Sequence, residues 1–174
     1  MFRQLTTVIT ALFVLLGISG CGFSLRGADN LPADIQVIEL NSTGHNKALQ
    51  RTLEKRLKPY GLTLLQDHLQ QHADLQLTIL PDELDRRLLS LFGTGQVAEY
   101  ELVYTVNYLL QFADHEAESL SFSLSREYQD DPDTVLAKSR ELDIILDEMR
   151  QLAAERIIRQ IASSYANLKQ SNNP

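Results

Sequence analysis

The chain has 174 residues, and its 23 acidic and 16 basic residues give a formal net charge of −7 at pH 7. This acidic balance argues against a broad surface for nucleic acid or anionic lipid, so any anion must be bound locally. The length fits one domain, and the single cysteine excludes an intrachain disulfide.

The first 21 residues have the features of an exported, lipid-anchored chain. An apolar run at residues 8–16 follows Arg3 and is too short to cross a bilayer, which takes about 20 apolar residues. Ile18-Ser19-Gly20-Cys21 then resembles the lipobox at which bacterial lipoproteins are cleaved and acylated. We expect residues 1–20 to be removed and Cys21 to carry several acyl chains, because one chain anchors a protein only marginally. The alternative is an ordinary signal peptide with an incidental cysteine.

The residue after the cysteine carries sorting information in bacterial lipoproteins. An aspartate there retains the protein at the inner membrane, whereas this chain has Gly22. The resemblance therefore implies a protein that is lipid-anchored at the outer membrane and faces the periplasm.

The N-terminal half of the chain predicts a tether, a strand and a helix. Residues 21–34 have few periodic apolar residues and are expected to form the tether, and residues 35–40 alternate as in a strand. Residues 49–57 carry a leucine at every fourth position among charged residues, which predicts an amphipathic helix. Residues 59–61 stop this helix, and residues 62–65 form a short extended piece.

The middle of the chain predicts long strands. Residues 74–80 alternate until Pro81, which suggests an edge or a bulge before extended structure resumes. Residues 98–112 alternate without a break, far beyond the usual length of about five or six residues, and residues 118–128 form a second long strand. We expect these two antiparallel strands to form the centre of the sheet and to pack these residues against the helices: Tyr100, Leu102, Tyr104, Leu120, Phe122 and Leu124.

The C-terminal part predicts one long helix. Residues 130–133 supply an acidic cap and a first-turn proline, and apolar residues then keep a spacing of three to four through residue 168. Residues 169–174 form a polar tail. The element order is β-α-β-β-β-α. We therefore predict a single α+β domain over residues 35–168, with two helices packed on one face of a four-stranded mixed sheet.

No motif in the sequence indicates catalysis, a cofactor or a metal site. The pair in His68-Leu69-Gln70-Gln71-His72 lacks the glutamate of a zinc-protease motif. Residues 93–98 match a dinucleotide fingerprint but precede a predicted strand, where that fingerprint requires a helix. Glu99 and Glu101 share one strand face, and a solvated or partner-facing surface explains them better than a catalytic carboxylate pair. We therefore predict that the protein is not an enzyme.

Five strings of residues stand in a characteristic order after residue 20. They lie at the lipobox cysteine, at the hairpin, at the end of the second long strand and in the last helix: Cys21–Gly27, Phe92–Tyr100, Arg126–Tyr128, Ala137–Glu141 and Asp147–Arg150. In this order they resemble the LptE family of lipopolysaccharide-assembly lipoproteins. The resemblance implies two helices on a four-stranded sheet. It also implies a partner, since members of this family plug the LptD β-barrel and help it to assemble and to deliver lipopolysaccharide to the outer leaflet.

The resemblance further implies that basic residues near the hairpin tip and at the start of the last helix bind lipopolysaccharide. Lys138 matches the helix position. At the tip, relatives often place an arginine directly after the phenylalanine, where this chain has Gly93, and Arg86, Arg87 or Arg140 are candidates to compensate. Cations suit the phosphates of lipid A. The alternative for each is an ordinary solvated surface residue.

We expect the barrel partner to contact the hairpin tip and the outward strand face, through Phe92, Gly93, Gly95, Glu99 and Glu101. Barrel lumens are polar, which suits a sheet face rich in Glu, Ser and Thr. Glycines allow a tight turn and close approach of another chain. Phe92 would act as an apolar anchor if exposed, and the alternative is that it folds back onto the core.

Two other classes of function stay open from the sequence. One is a free periplasmic lipid chaperone with its own hydrophobic cavity, and the other is an envelope scaffold lipoprotein that binds another periplasmic protein. Identification of the main partner after purification in mild detergent separates these classes from a barrel plug.

Overall fold

The computed structural model describes residues 31–45, 47–65, 72–131 and 135–171. These residues form a helical layer on one face of a mixed sheet. In chain order the elements are β1 (Val37–Ser42), α1 (Ala48–Leu57), β2 (Thr63–Leu65), β3 (Leu75–Ile79), β4 (Glu83–Leu91), β5 (Val97–Phe112), β6 (Glu118–Gln129) and α2 (Val135–Ser171). Neither helix in this part of the chain combines the length and the apolar composition that a membrane crossing requires.

The first three elements form a β-α-β unit. β2 and β3 lie on either side of β1, and both run parallel to it. In α1 the leucines at 49, 53 and 57 are at most 1 % exposed, because residues four apart share the helix face that covers the sheet. A 3-10 turn at Lys58–Tyr60 ends this helix, and Gly61 adopts a left-handed φ of 70°. The predicted helix and its stop are thus confirmed.

β3 and β4 lie end to end along one side of β5. Ile79 pairs with Tyr108 and Glu83 pairs with Thr105, so the β3–β4 side holds one more residue than β5 between these pairs. The extra residue is a β-bulge next to Pro81, which has no N–H to donate to the ladder. The predicted interruption at Pro81 is confirmed.

The sheet has six strands, so the predicted number of four is wrong. Its order is β2-β1-β3-β5-β4, and β6 pairs with β5. The short extended piece at residues 62–65 becomes β2, because it pairs with β1, and the bulge at Pro81 divides one predicted extended region into two strands. Three residues are too few to show the alternation that identifies a strand in a sequence.

Alternation in β5 places its even-numbered residues under the helices, as predicted. Leu102 and Val106 are fully buried and Tyr104 is 1 % exposed, whereas the odd-numbered residues Thr105 and Asn107 lie on the opposite face and are half-buried. We call the face opposite the helices the outer face. The apolar core therefore lies between the even-numbered side of β5 and α2.

β6 is an edge strand, which corrects the prediction that both long strands are central. β6 pairs with β5 in one unbroken register from Glu118 to Gln129 and, among the described residues, with no other strand. Its inward residues Leu120, Phe122 and Leu124 pack against the core as predicted. Alternation reports the face of each side chain, but it carries no information on how many neighbours a strand has.

α2 covers the sheet along its length and has 37 residues. The predicted helix start at residues 130–133 extends outside the described residues, and the helix includes residues 169–171, which the sequence assigns to the polar tail. Met149, Ala153, Ile157 and Ile161 are fully buried. The two helices are joined at the surface by an ion pair of 2.8 Å between the Arg56 guanidinium and the Glu155 carboxylate.

The two ends of the described chain meet at the C-terminal end of α2. Leu31 and Ile35 are buried in the core. The Asp34 carboxylate accepts hydrogen bonds from the Tyr165 hydroxyl and from the Lys169 ammonium. These two bonds hold the pKa of Asp34 below its ordinary value.

Candidate functional site at the hairpin tip and the start of α2

The turn between β4 and β5 is closed by two backbone hydrogen bonds. The Phe92 N–H donates to the Gln96 carbonyl at 2.8 Å, and the Gly95 N–H donates to the Phe92 carbonyl at 2.9 Å. Gly95 has φ of 84°, a conformation that L side chains rarely adopt, whereas Gly93 does not lie in the left-handed region. The conformation of the turn thus requires a glycine at position 95 only.

The tip is apolar and exposed. Phe92 is 45 % exposed, so it does not fold back into the core. Leu88, Leu89 and Leu91 are between 49 % and 55 % exposed, and Leu136 at the start of α2 is 83 % exposed. Large apolar side chains clustered at one end of a domain are typical of an interaction surface.

Glu99 and Glu101 lie on the outer face beside the tip, as predicted. The Ser90 hydroxyl donates to the Glu99 carboxylate at 2.8 Å. The Arg87 guanidinium lies 3.8 Å from the Glu101 carboxylate, and on the other side of Glu101 the register places Glu127. Each glutamate therefore has its own polar neighbour on β4.

Arg86 and Arg87 point to opposite faces of the sheet, because consecutive strand residues alternate. Arg86 pairs in register with Leu102, whose side chain faces α2. Arg87 pairs with Glu101 on the outer face. The structure therefore separates two arginines that are adjacent in the sequence.

Tyr128 connects the C-terminal end of β6 to α2. Its side chain is 5 % exposed, and its hydroxyl donates to the backbone carbonyl of Lys138 at 2.9 Å. The Lys138 ammonium lies 5.5 Å from the centre of the Tyr128 ring. Burial raises the pKa of Tyr128, and a smaller opposing effect comes from nearby cations that include Lys138 and Arg86. Lys138 thus lies close to the Tyr128 ring, and the register of β4 and β6 places Arg86 on the same, helix-facing side of the sheet as Tyr128.

Lys138 stays charged in this environment. Its ammonium donates to the Glu141 carboxylate at 2.9 Å, and this hydrogen bond raises the pKa of Lys138. Arg140 is exposed and lies two residues along the helix, so it does not face the same side as Lys138. Of the four predicted lipopolysaccharide-binding residues, Arg86 lies on the helix-facing side of the sheet and Lys138 lies beside Tyr128, whereas Arg87 lies on the outer face and Arg140 on another side of α2.

No pattern in the sequence identifies Tyr128 as the residue that supports this site. Alternation in β6 places its ring on the inward face, but its contact with Lys138 joins two elements and has no signal within either one.

Cys21 and His68 lie outside the described residues. Residues 93–98 form a hairpin turn that leads into β5, as predicted, and not a dinucleotide-binding turn. Within the described ranges, no group of three histidine, cysteine or acidic residues is placed to hold a metal ion.

The fold and the tip define a small α+β domain with an exposed apolar surface at one end. Rare lipoprotein B from Shewanella oneidensis has the same fold, with a TM-score of 0.68 and 37 % identity over 77 % of this chain and 99 % of that chain. LPS-assembly lipoprotein LptE from Pectobacterium atrosepticum is 32 % identical over 161 residues, which are 92 % of this chain and 86 % of the relative. The LptE of Yersinia pestis is 30 % identical over 166 residues, with 95 % and 79 % covered.

The family described as LptE, lipopolysaccharide-assembly, matches residues 34–161. The chain belongs to this family. The resemblance seen in the five residue strings is confirmed.

Proposed function

We propose that this chain is an outer-membrane lipoprotein that forms a complex with the LptD β-barrel and assists lipopolysaccharide assembly at the outer-membrane surface. In this proposal Cys21 carries the lipid anchor on the periplasmic side, and the role is binding without catalysis or a cofactor. The observation that carries the proposal is the exposed apolar tip around Phe92, next to a polar sheet face.

The outer face has the chemistry of a surface that fits inside a polar lumen. The Thr105 and Ser123 hydroxyls lie 2.9 Å apart, and the Ser121 hydroxyl donates to the Asn107 side chain at 2.7 Å. Such hydroxyl and amide groups exchange hydrogen bonds readily with a polar barrel interior. A large aromatic residue beside them supplies the kind of anchor that dominates binding energy at interfaces. We propose that the barrel contacts this region through Phe92, Gly93, Gly95, Glu99 and Glu101.

The test is co-purification of the full-length lipoprotein with the barrel from mild detergent. Phe92→Ser should reduce the yield of the complex and leave the melting temperature of the lipoprotein unchanged, because Phe92 lies outside the core. Ile144→Ser is the matched control, since Ile144 is also exposed, at 60 %, but lies on α2 away from the tip. Unchanged yield with folded Phe92→Ser would remove the tip from the interface. A different main partner, or none, would favour the scaffold or the lipid chaperone.

We further propose that Arg86 and Lys138 form the principal pair of lipopolysaccharide-binding cations. Lys138 lies beside Tyr128, Arg86 faces the same side of the sheet and influences the pKa of Tyr128, and the exposed side chains of Leu88 and Leu136 lie in the same two elements, β4 and α2. An amphiphile with phosphates and acyl chains requires this combination of cations and apolar surface. Arg87 and Arg140 face elsewhere, so we propose that they contribute less.

Binding of fluorescently labelled lipopolysaccharide to the full chain tests this ranking. Arg86→Gln combined with Lys138→Gln should weaken binding by about tenfold or more, since charge-assisted bonds to phosphate are strong. Arg87→Gln combined with Arg140→Gln is the control, because it removes the same two charges from residues that face elsewhere. Equal losses for both variants would show that only net charge matters and would refute the proposed pair.

A further inference from the structure

The edges of the sheet differ in how well they are protected against pairing with another strand. β2 is only three residues long, and β4 follows the bulge at Pro81 and has register shifts between Leu88 and Leu91. β6 has twelve residues in unbroken register and contains neither proline nor lysine. Proteins usually protect long edge strands with a bulge, a proline, a lysine or an inward-pointing charge, because unpaired backbone groups are a template for another strand. β6 has one such charge near its end, Arg126, whose guanidinium donates to the Ser125 carbonyl at 3.3 Å, and residues 119–125 carry no charged side chain.

The hydrogen-bond pattern shows which backbone groups of β6 face the free edge. The Asp130 N–H donates to the Ala98 carbonyl at 2.9 Å, in continuation of the β5–β6 register. In an antiparallel ladder, residues alternate between bonding to the partner and pointing away from it. The even-numbered residues of β6 therefore bond to β5, and the odd-numbered residues, among them Ser121, Ser123 and Ser125, direct their N–H and C=O groups outward.

A cationic groove runs beside this edge, between β6 and α2. Its volume is about 590 Å³, and none of its lining residues is acidic: Leu124, Arg126, Leu152, Arg156, Arg159, Gln160 and Ser163. Arg126 comes from β6, and Arg156 and Arg159 come from adjacent turns of α2. The Arg156 guanidinium lies 4.5 Å from the centre of the Phe122 ring, which fixes its position over the sheet. Three arginines thus gather in one place on a chain of net negative charge.

We propose that β6 is a docking site for an extended acidic segment of a partner protein, which adds to the sheet as a further strand. Backbone groups of the odd-numbered residues of β6 would pair with the segment, as in other cases of strand addition. A strand added at the usual spacing of about 4.8 Å directs every second side chain toward the helical layer. Carboxylates at those positions would meet the arginines of the groove. This site is separate from the hairpin tip and does not depend on the role proposed for the tip.

The arginines also favour an acidic partner over a second copy of this chain as the occupant. Two molecules that paired through β6 would bring two arginine-lined grooves together along one edge. Like charges at close range oppose association. An acidic strand from another protein avoids this repulsion, pairs with the outward backbone groups and places its carboxylates near the guanidinium groups.

The test is fluorescence anisotropy with the full chain purified in detergent and a labelled peptide of alternating glutamate and threonine. Ser125→Pro removes one outward N–H and leaves the bonds between β5 and β6 intact, so it should weaken peptide binding by about tenfold or more. Ser125→Ala, which keeps the N–H, should bind like the original chain. Arg156→Gln with Arg159→Gln should also weaken binding, and a peptide of alternating lysine and threonine should not bind.

Amide hydrogen exchange gives an independent answer if Ser125→Pro perturbs folding. The bound glutamate–threonine peptide should slow exchange at Ser121, Ser123 and Ser125, and should leave the even-numbered amides of β6 nearly unchanged because these already bond to β5. Absence of saturable binding would overturn the proposal, as would equal binding to the Pro and Ala variants. A peptide that binds without slowing the odd-numbered amides is held by charge alone, which also overturns strand addition.

Discussion

The Tyr128 hydroxyl donates a hydrogen bond of 2.9 Å to the backbone carbonyl of Lys138, and this bond joins the end of β6 to the first turns of α2. The surrounding helix residues have little other support, since Val135 is 66 % and Leu136 83 % exposed. The position of the start of α2, and with it that of Lys138, therefore depends on a residue that belongs to the sheet.

Replacement of Tyr128 by Phe should loosen the start of α2 without unfolding the domain. The ring stays in place, but the carbonyl of Lys138 loses its donor, at a cost of about 1 kcal/mol. Amide exchange should become faster at residues 138–142 and stay unchanged at the buried part of the helix around Ile157. Uniform faster exchange along α2 would contradict this local role.

Leu102→Asp should abolish the cooperative melting of the domain. Leu102 is fully buried, and an unpaired carboxylate there costs several kcal/mol, a large part of the about 5–15 kcal/mol that a domain typically has. Ser119→Asp is the control, because Ser119 is exposed and lies on the outer face of β6. Circular dichroism melting curves of both variants check the assignment of faces, and a native-like melt for Leu102→Asp would refute it.

The two tip glycines form a matched pair for a test of backbone strain. A methyl group at either position meets no atom within 4 Å, but only Gly95 has a positive φ, of 84°. Gly95→Ala should therefore cost about 1 kcal/mol in the free energy of unfolding, whereas Gly93→Ala should be neutral or slightly stabilising. Denaturant unfolding of the two variants measures the difference, and equal values would show that the turn relaxes.

The ion pair at the other end of the domain should make stability depend on pH in acid. Hydrogen bonds from Lys169 and Tyr165 lower the pKa of Asp34 below its ordinary value of 3.8. A carboxyl whose pKa is lowered by folding stabilises the folded state above its unfolded pKa, and this stabilisation is lost as the pH falls through the folded-state pKa.

Asp34→Asn should therefore lower the melting temperature at neutral pH, and the difference from the original chain should shrink below about pH 3.8. Asp143→Asn serves as a control for the loss of one exposed helix charge. A difference in melting temperature that persists at low pH would show that Asp34 stabilises the fold through the packing of its side chain and not through its charge.

Cys21→Ser should leave an unprocessed precursor without lipid, because it removes the thiol that we propose accepts the diacylglycerol. Mass spectrometry of the membrane fraction distinguishes this precursor from the acylated product. An acylated product of normal mass from the variant would refute lipidation at this residue.

Much of the fold was predictable because its main elements are long. β5 has sixteen residues and β6 has twelve, so the alternation of apolar and polar residues repeats often enough to assign each side chain to a face of the sheet. In the short helix α1, three leucines suffice to identify the buried face. The number of strands was not predictable by the same means. β2 is too short for a pattern, and the edge position of β6 depends on which segments lie beside it.

The candidate site was predictable in its location but not in its arrangement. The glycines and Phe92 identify the tip, and an exposed aromatic residue at a turn points to an interface. Arg86 and Arg87 looked equivalent in the sequence because the extended character of their segment was weakly marked. Tyr128 was not recognised because the hydrogen bond to Lys138 depends on the packing of two elements whose relative position no local pattern encodes.

The bond between Asp34 and Tyr165 joins residues 131 positions apart, which has a consequence for the kinetics of folding. β5 pairs with β3, β4 and β6, so most of the sheet cannot form before the central third of the chain is available. The core cannot form before α2 is available. The contact between Asp34 and Tyr165, like those between α1 and α2, forms slowly, because a large loop must close before the contact is gained. A chain that emerges from a translocation channel with its N-terminus first would therefore expose its alternating strands until the last helix arrives. The protein should be most vulnerable to aggregation and proteolysis during that interval.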